Sequence, residues 1–395
     1  MTSKDIKALD AQCVMQTYGR FDVAIDRGEG STLYSPEGQT YIDFTSGIGV
    51  NAIGYGNKPW ADAVYAQALK LQHMSNLFYT EPYAKLAQML TARAGMKNVF
   101  FSNAGGEANE GMIKIARKYS FDKYGKGRNT IISLIQSFHG RTITTLAATG
   151  QKNLHDYFFP FTEGFKYAPA NDAAALEQAI TGDVCAVLIE LVQGEGGVLP
   201  LDPGYVTAVA KLCAERDLLL LIDEVQTGIG RTGSLFAFQQ FGIAPDVVTF
   251  AKGIAGGLPM GGILANEKCA DVLTPGTHAT TFGGNPVAAA GALEVLSQLD
   301  DAVLGEVIKK GDYIRKTVAS WNLPCVGEIR GKGLMIAISL KGAAPKTVAQ
   351  ACIDAGLLML TAGADALRML PPLVITYQEI DKGLGILKSV LEGLS

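Results

Sequence analysis

Short apolar runs rich in leucine, isoleucine and valine recur along the chain, with helical spacing between them. The clearest is Leu218-Leu-Leu-Leu-Ile222, closed by Asp223. A run with no polar face suits a strand covered on both sides, as in a parallel sheet. It is far too short to span a membrane. Residues 99–102, 130–134, 186–190, 247–250 and 262–265 read the same way. Between them, residues 107–124 place Met112, Ile113, Ala116 and Tyr119 on one helical face, and 205–216 follow an Asp-Pro-Gly turn. Strands alternating with helices predict an α/β fold, with a mostly parallel central sheet and helices on both faces.

The ends of the chain have a different texture. Residues 31–44, STLYSPEGQTYIDF, read as a hairpin turning at Pro-Glu-Gly. After Asn285-Pro286, two helical segments lead to a hairpin-like region over 327–340 and 367–370. The expected organisation is a large domain over 51–285 and a smaller α+β domain built from both termini, from 1–50 and 286–395. A length of 395 residues is enough for two or three domains at roughly 100–200 residues each.

Five unusual motifs follow five of the predicted strands. They are Asn103-Ala-Gly-Gly-Glu107, Ser137-Phe-His-Gly-Arg-Thr142, Gln193-Gly-Glu-Gly-Gly197, Asp223-Glu-Val-Gln226, and Lys252. Open α/β sheets bind ligands beyond the carboxyl ends of their strands. Gly105-Gly106 at a helix start offers bare amides to a phosphate, or is a plain glycine turn. Asp223 ends a buried strand and needs a positive or hydrogen-bonding partner, an N-cap or arginine included. Gln226 lies three residues on and is placed to share a ligand with it. Phe138 is core or a stacking face; Arg141 is a surface pair or a carboxylate fork. Lys252 is the only charged side chain between Val247 and Ala265. It is either a snorkelling lysine or one that is chemically used. Pyridoxal 5'-phosphate requires all four features: a phosphate cradle, an aspartate for the ring nitrogen, a stacking aromatic, and a lysine for the aldehyde.

Other classes fit less well. A net charge of -4 without basic stripes excludes a phosphate-backbone binder, so no nucleic acid partner is expected. Six scattered cysteines and four scattered histidines form no zinc or disulfide pattern, so no metal is expected. The cysteine usage and an N-terminus without an apolar signal region imply a cytoplasmic protein with no membrane association. Gly228-Ile-Gly-Arg-Thr-Gly233 matches GxGxxG, which would suggest an NAD-dependent oxidoreductase. Four residues separate it from its strand, however, and no acid lies about 20 residues beyond it.

The blocks SNAGGEANE, SFHGRT, QGEGG, LLLLIDEVQTGIGRTG with TFAKGIAGGLPMGG, and TTFGGNP resemble the class III aminotransferases of pyridoxal-phosphate fold type I. The resemblance runs from Gly19 to Pro372. It implies that Lys252 binds the cofactor covalently and Asp223 pairs with the ring nitrogen. Gln226 would contact the phenolic oxygen, Phe138 would stack on the ring, and Gly105 and Gly106 would hold the phosphate. Thr281 would reach the phosphate of a partner subunit, giving a homodimer. Arg141 would hold a distal carboxylate and Arg368 the α-carboxylate of glutamate, with Glu195 neutralising Arg368 for the other substrate. The implied reaction moves an amino group from N2-acetylornithine to 2-oxoglutarate, giving N-acetylglutamate 5-semialdehyde and glutamate in arginine biosynthesis. Ornithine, succinylornithine and 4-aminobutyrate are the alternative donors. Ala104, Gly106, Leu191 and Val374 depart from the usual pattern, and a hydroxyl contact to phosphate is one casualty.

Overall fold

The protein is described from a computed structural model covering residues 1–394. Its centre is a seven-stranded sheet. In spatial order the strands are Asn98–Ser102, Gly261–Ala265, Val247–Phe250, Leu219–Asp223, Val184–Ile189, Thr130–Leu134 and Phe165–Ala168. Six run in one direction. Gly261–Ala265 alone is antiparallel to both of its neighbours. The mostly parallel sheet expected from the sequence is present, and Phe165–Ala168 adds an edge strand that the apolar runs did not mark.

The leucine run shows why the sheet is sandwiched. Leu219 and Leu221 pack with Met112, Ile113 and Ala116 of the helix Gly105–Tyr124. Leu220 and Ile222 face the opposite way, into the core that holds Val206 and Val209 of the helix Pro203–Glu215. Alternate side chains of one strand are thus buried under different helices, as a doubly covered strand requires. Asp202 caps the second helix by accepting from the N–H groups of Gly204 and Tyr205.

The N-terminal hairpin is part of a four-stranded sheet. Arg27–Glu29, Thr32–Tyr34 and Thr40–Asp43 run antiparallel, and Leu357–Leu358 adds a parallel strand beside Thr40–Asp43. Gly38, at φ +85°, supplies the left-handed turn after Pro36. A second four-stranded sheet holds Val326–Lys332, Met335–Leu340, Ala366–Met369 and Leu360–Ala362. The helix Pro286–Gln298, capped by Asn285, packs on Lys58–Lys70 and Glu81–Ala94 beside the central sheet.

Candidate active site

The five motifs meet. Gly105, Gly106, Phe138, Glu195, Asp223, Gln226 and Lys252 all line one cavity of about 360 Å³ at the carboxyl ends of the parallel strands. The register explains the nearest pair. Asp223 lies opposite Thr249 on the adjacent strand, and Lys252 is three residues further on.

Asp223 is buried, and both of its oxygens have partners. Its Oδ1 accepts from Val225 N at 2.9 Å. Its Oδ2 accepts from Asn109 Nδ2 at 2.7 Å and lies 2.8 Å from His139 Nδ1. Asn109 is itself aimed, because its Oδ1 accepts from Thr249 Oγ1 at 2.8 Å. These contacts fix the orientation of the carboxyl group. Oδ1 holds a single bond, so it retains capacity for one cationic N–H, such as that of a protonated pyridine ring. His139 and Asn109 were not singled out from the sequence. Both lie inside motifs that were, SFHGRT and SNAGGEANE, and that membership was the available signal. Glu190, just past Val184–Ile189, is a third such residue: it is buried and lines the same cavity.

Lys252 opens a short 3-10 turn, Lys252–Ala255, in the left-handed region at φ +45°. Few non-glycine residues sit there, and strain of this kind collects at functional sites. Its amine makes no hydrogen bond or salt bridge among the described residues. Burial pushes its pKa down, opposed by the negative charge of Glu195 and assisted by Arg368. A half-buried amine biased toward its neutral form is a nucleophile.

The helix Gly105–Tyr124 begins without a side-chain cap, since Ala104 has no acceptor to offer. Asn103, which also lines the cavity, is occupied by Glu107, to which its Nδ2 donates at 2.8 Å. The first amides therefore face the cavity as an anion site, strengthened by the helix dipole. Gly105 has to be glycine there: a Cβ would lie 2.6 Å from Val225 Cγ1. Gly106 is not so constrained, because a Cβ would meet nothing closer than Thr142 Cγ2 at 3.8 Å. An uncapped helix end, a carboxylate with a free lone pair, a half-buried phenyl ring and an unpartnered lysine, all on one wall, fit pyridoxal phosphate.

Across the cavity, Arg368 Nη1 donates to Glu195 Oε1 at 2.5 Å. Gln226 joins them, giving Nε2 to Glu195 at 3.2 Å and taking Arg368 Nη1 at 3.4 Å. Arg368 comes from Ala366–Met369 in the second small sheet, so this pair ties that sheet to a loop of the central one. Burial by itself would raise the Glu195 pKa. Arg368, Lys252 and the Gln226 amide outweigh it and hold the carboxyl below its usual range.

Three residues named from the resemblance do not line this cavity; Arg368 reaches it only through Glu195 and Gln226. Arg141 is exposed, with its guanidinium 5.6 Å from the Phe138 ring centroid. Thr281 is exposed and lines a separate cavity of about 260 Å³ with His73, Asn76 and Tyr83. The GxGxxG stretch is no nucleotide loop. Arg231 within it is buried, donating to the carbonyls of Leu334 at 3.1 Å and Pro371 at 2.5 Å, and only a short 3-10 turn, Ala237–Gln240, follows. Among the described residues no cluster of acidic, histidine and cysteine side chains forms a metal site, and no helix is long and apolar enough to cross a membrane.

A mostly parallel sheet with one reversed strand carries Asp223 at the end of one strand and Lys252 just past its neighbour, in a cavity that fits pyridoxal phosphate. Residues 14–391 match the aminotransferase class-III family, and the chain belongs to it. The protein is therefore a transaminase. An acetylornithine aminotransferase of Haemophilus ducreyi is 53% identical over 393 residues, covering 99% of each chain. The crystal structure of N-acetylornithine aminotransferase from Stenotrophomonas maltophilia has a TM-score of 0.85 at 35% identity, covering 98% of both chains. An ornithine aminotransferase of Toxoplasma gondii superposes with a TM-score of 0.95 at 31% identity, covering 99% of this chain and 95% of that one. Its crystal structure shows partial occupancy of pyridoxal phosphate at the active site.

Proposed function

We propose that the protein transfers the ω-amino group of N2-acetylornithine to 2-oxoglutarate, yielding N-acetylglutamate 5-semialdehyde and glutamate. Arginine biosynthesis in the cytoplasm is the matching role. The observation that carries this reading is the Arg368–Glu195 pair beside the unpartnered amine of Lys252. A donor with its reacting amine at a chain end brings no carboxylate to Arg368. Glutamate brings one. A neutralised arginine suits the first substrate, and a released arginine suits the second. The relatives named above agree on the donor class.

The cofactor, when bound, supplies an aldehyde that exchanges for the amino group and a ring that accepts electrons from the reacting carbon. The chain supplies the rest. Gly105 and Gly106 amides would hold the phosphate, Asp223 would pair with the ring nitrogen, and Phe138 and Gln226 would contact the ring. Lys252 would be the amine that anchors the cofactor and the base that moves a proton at the reacting carbon. Arg368 grips the α-carboxylate of glutamate as a bidentate fork. Arg141, on an exposed side chain, takes the distal carboxylate that both substrates carry. Thr281 reaches the phosphate of a second copy, so the working unit is a homodimer.

Ornithine is the second reading, favoured by the close superposition with the Toxoplasma enzyme. The test is a donor panel against 2-oxoglutarate, read as glutamate formed. Acetylornithine should give the highest kcat/KM. A higher value for ornithine, succinylornithine or 4-aminobutyrate replaces it as donor. Borohydride bleaching of a visible absorbance band tests the cofactor separately.

A further inference from the structure

Glu190 has no part in the reaction above, yet its carboxylate is buried on the wall of the catalytic cavity. Its strand, Val184–Ile189, lies between the strand that ends at Asp223 and the strand that leads to Phe138. Glu190 is therefore the residue between the two groups that address the cofactor ring. Its Oε2 accepts the Phe138 N–H at 3.0 Å. Its Oε1 is 3.5 Å from the Gly194 N–H, immediately before Glu195. No lysine or arginine pairs with it among the described residues. Burial pushes its pKa up, against the pull of His139 and with the help of the Asp223 charge. An uncompensated carboxylate is a costly way to satisfy two amides. What distinguishes it from a smaller acceptor is that one planar group spans two separate loops.

We propose that Glu190 is a positioning residue: its carboxylate fixes the backbone of Phe138, and hence the phenyl face presented to the cofactor ring, in one frame with the loop that carries Glu195. The inference rests on the cofactor reading given above for Phe138. The Phe138 amide belongs to an irregular segment that follows the sheet, and the Gly194 amide to the turn of a small hairpin, Val192–Gln193 with Leu199–Pro200. Such segments hold a side chain in place only as well as their own backbone groups are tied. Phe138 N–H has no other acceptor among its recorded bonds.

The test uses the full-length protein and pyridoxal phosphate alone, so that no amino donor has to be known. Wild type, Glu190→Ala, Glu190→Asp and Glu190→Gln are stripped of cofactor and retitrated. The dissociation constant and the wavelength of the visible band are read for each. Loss of the acceptor in Glu190→Ala leaves a buried N–H unpaired and should raise Kd about tenfold, with a shifted band. Glu190→Asp, whose carboxylate is withdrawn by a methylene, should behave like Glu190→Ala if the latter does not fold. Glu190→Gln keeps one oxygen for Phe138 but loses the acceptor facing Gly194, so it should restore the band and most of Kd, even where its melting temperature is lowered. Unchanged Kd and band in the alanine and aspartate variants overturn the proposal, and so does a glutamine variant that matches them rather than wild type. A wild-type protein that binds no cofactor sinks the functional reading itself, which separates the two failures.

Discussion

Arg368 and Glu195 are joined by a 2.5 Å hydrogen bond through Nη1, while the buried Nε of the same arginine has no partner. The pair is lopsided in exposure: the arginine side chain is 4% exposed and the glutamate 31%. The glutamate is the member with room to leave. Removing it strands a charge that cannot follow it into water.

Glu195→Ala should therefore slow the acetylornithine half-reaction by about 10–100-fold, the equivalent of about 1–3 kcal/mol for a partly solvated pair. The glutamate half-reaction should be nearly unchanged, since that substrate brings its own carboxylate. Arg368→Ala should give the reverse selectivity. Stopped-flow absorbance of the cofactor reports each half alone. Equal slowing of both halves by Arg368→Ala removes the gate from the account.

Lys252→Ala should abolish turnover, by about 10⁴-fold or more, because covalent attachment and proton transfer are lost together. The same site makes a second, independent claim. An amine that is half-buried without a hydrogen bond is a liability to the cofactor-free protein. Lys252→Met, which keeps the volume and drops the charge, should raise stability without cofactor by about 1–2 kcal/mol. Thermal melts of both apo-proteins measure it, and a lower melting temperature contradicts the unpartnered amine.

Asp223→Asn should cost more than its similar shape suggests. Two donors and the His139 ring converge on the carboxylate. An amide offers one oxygen and turns an NH₂ toward the remaining donor. About 1–3 kcal/mol of stability should be lost. The chemical step should slow by about 10²–10³-fold as the ring nitrogen loses its counter-charge. Single-turnover kinetics at saturating cofactor separate this from weak loading; a wild-type rate would make Asp223 structural only.

Glu224, next along the chain, carries a pH signature. It is buried, and burial pushes its pKa up to about 7, against three hydrogen bonds from Ala237 N, Phe238 N and Thr227 Oγ1. A carboxyl raised in the folded state binds more protons there than in the unfolded chain. Its contribution is complete below about pH 4.5 and is lost as pH rises toward about 7, by about 3 kcal/mol in total. Glu224→Gln should be less stable at pH 5, because one donor loses its acceptor, yet show a shallower decline between pH 5 and 7. Denaturant midpoints across that range test the slope, and a slope identical to wild type refutes the assignment.

The sheet was legible because leucine and valine runs leave a doubly buried strand no alternative. The motif positions were legible because glycine pairs, a terminal aspartate and a solitary lysine are out of character with such runs. The reversal of Gly261–Ala265 was not, since an apolar run such as GGILA carries no mark of strand direction. Phe165–Ala168 was missed because an edge strand with Lys166 and Tyr167 is not uniformly apolar. Asn109 and His139 escaped for a different reason. Their meaning depends on a contact with Asp223, far along the chain, and local pattern carries no trace of it. Arg141 and Thr281 were named by resemblance, and a single chain leaves both outside the cavity wall.

The pairing of Leu357 with Ile42 reaches across nearly the whole chain. During synthesis the strand Thr40–Asp43 is made early and waits for its outer neighbour until almost everything else has been translated. The central sheet, by contrast, draws all its strands from residues 98–265 and has no need of that last segment. Assembly should accordingly proceed from the middle outward, as long-range pairing is entropically late. Glu195 is in place on the nascent chain well before Arg368, so their ion pair forms only when the polypeptide is nearly complete.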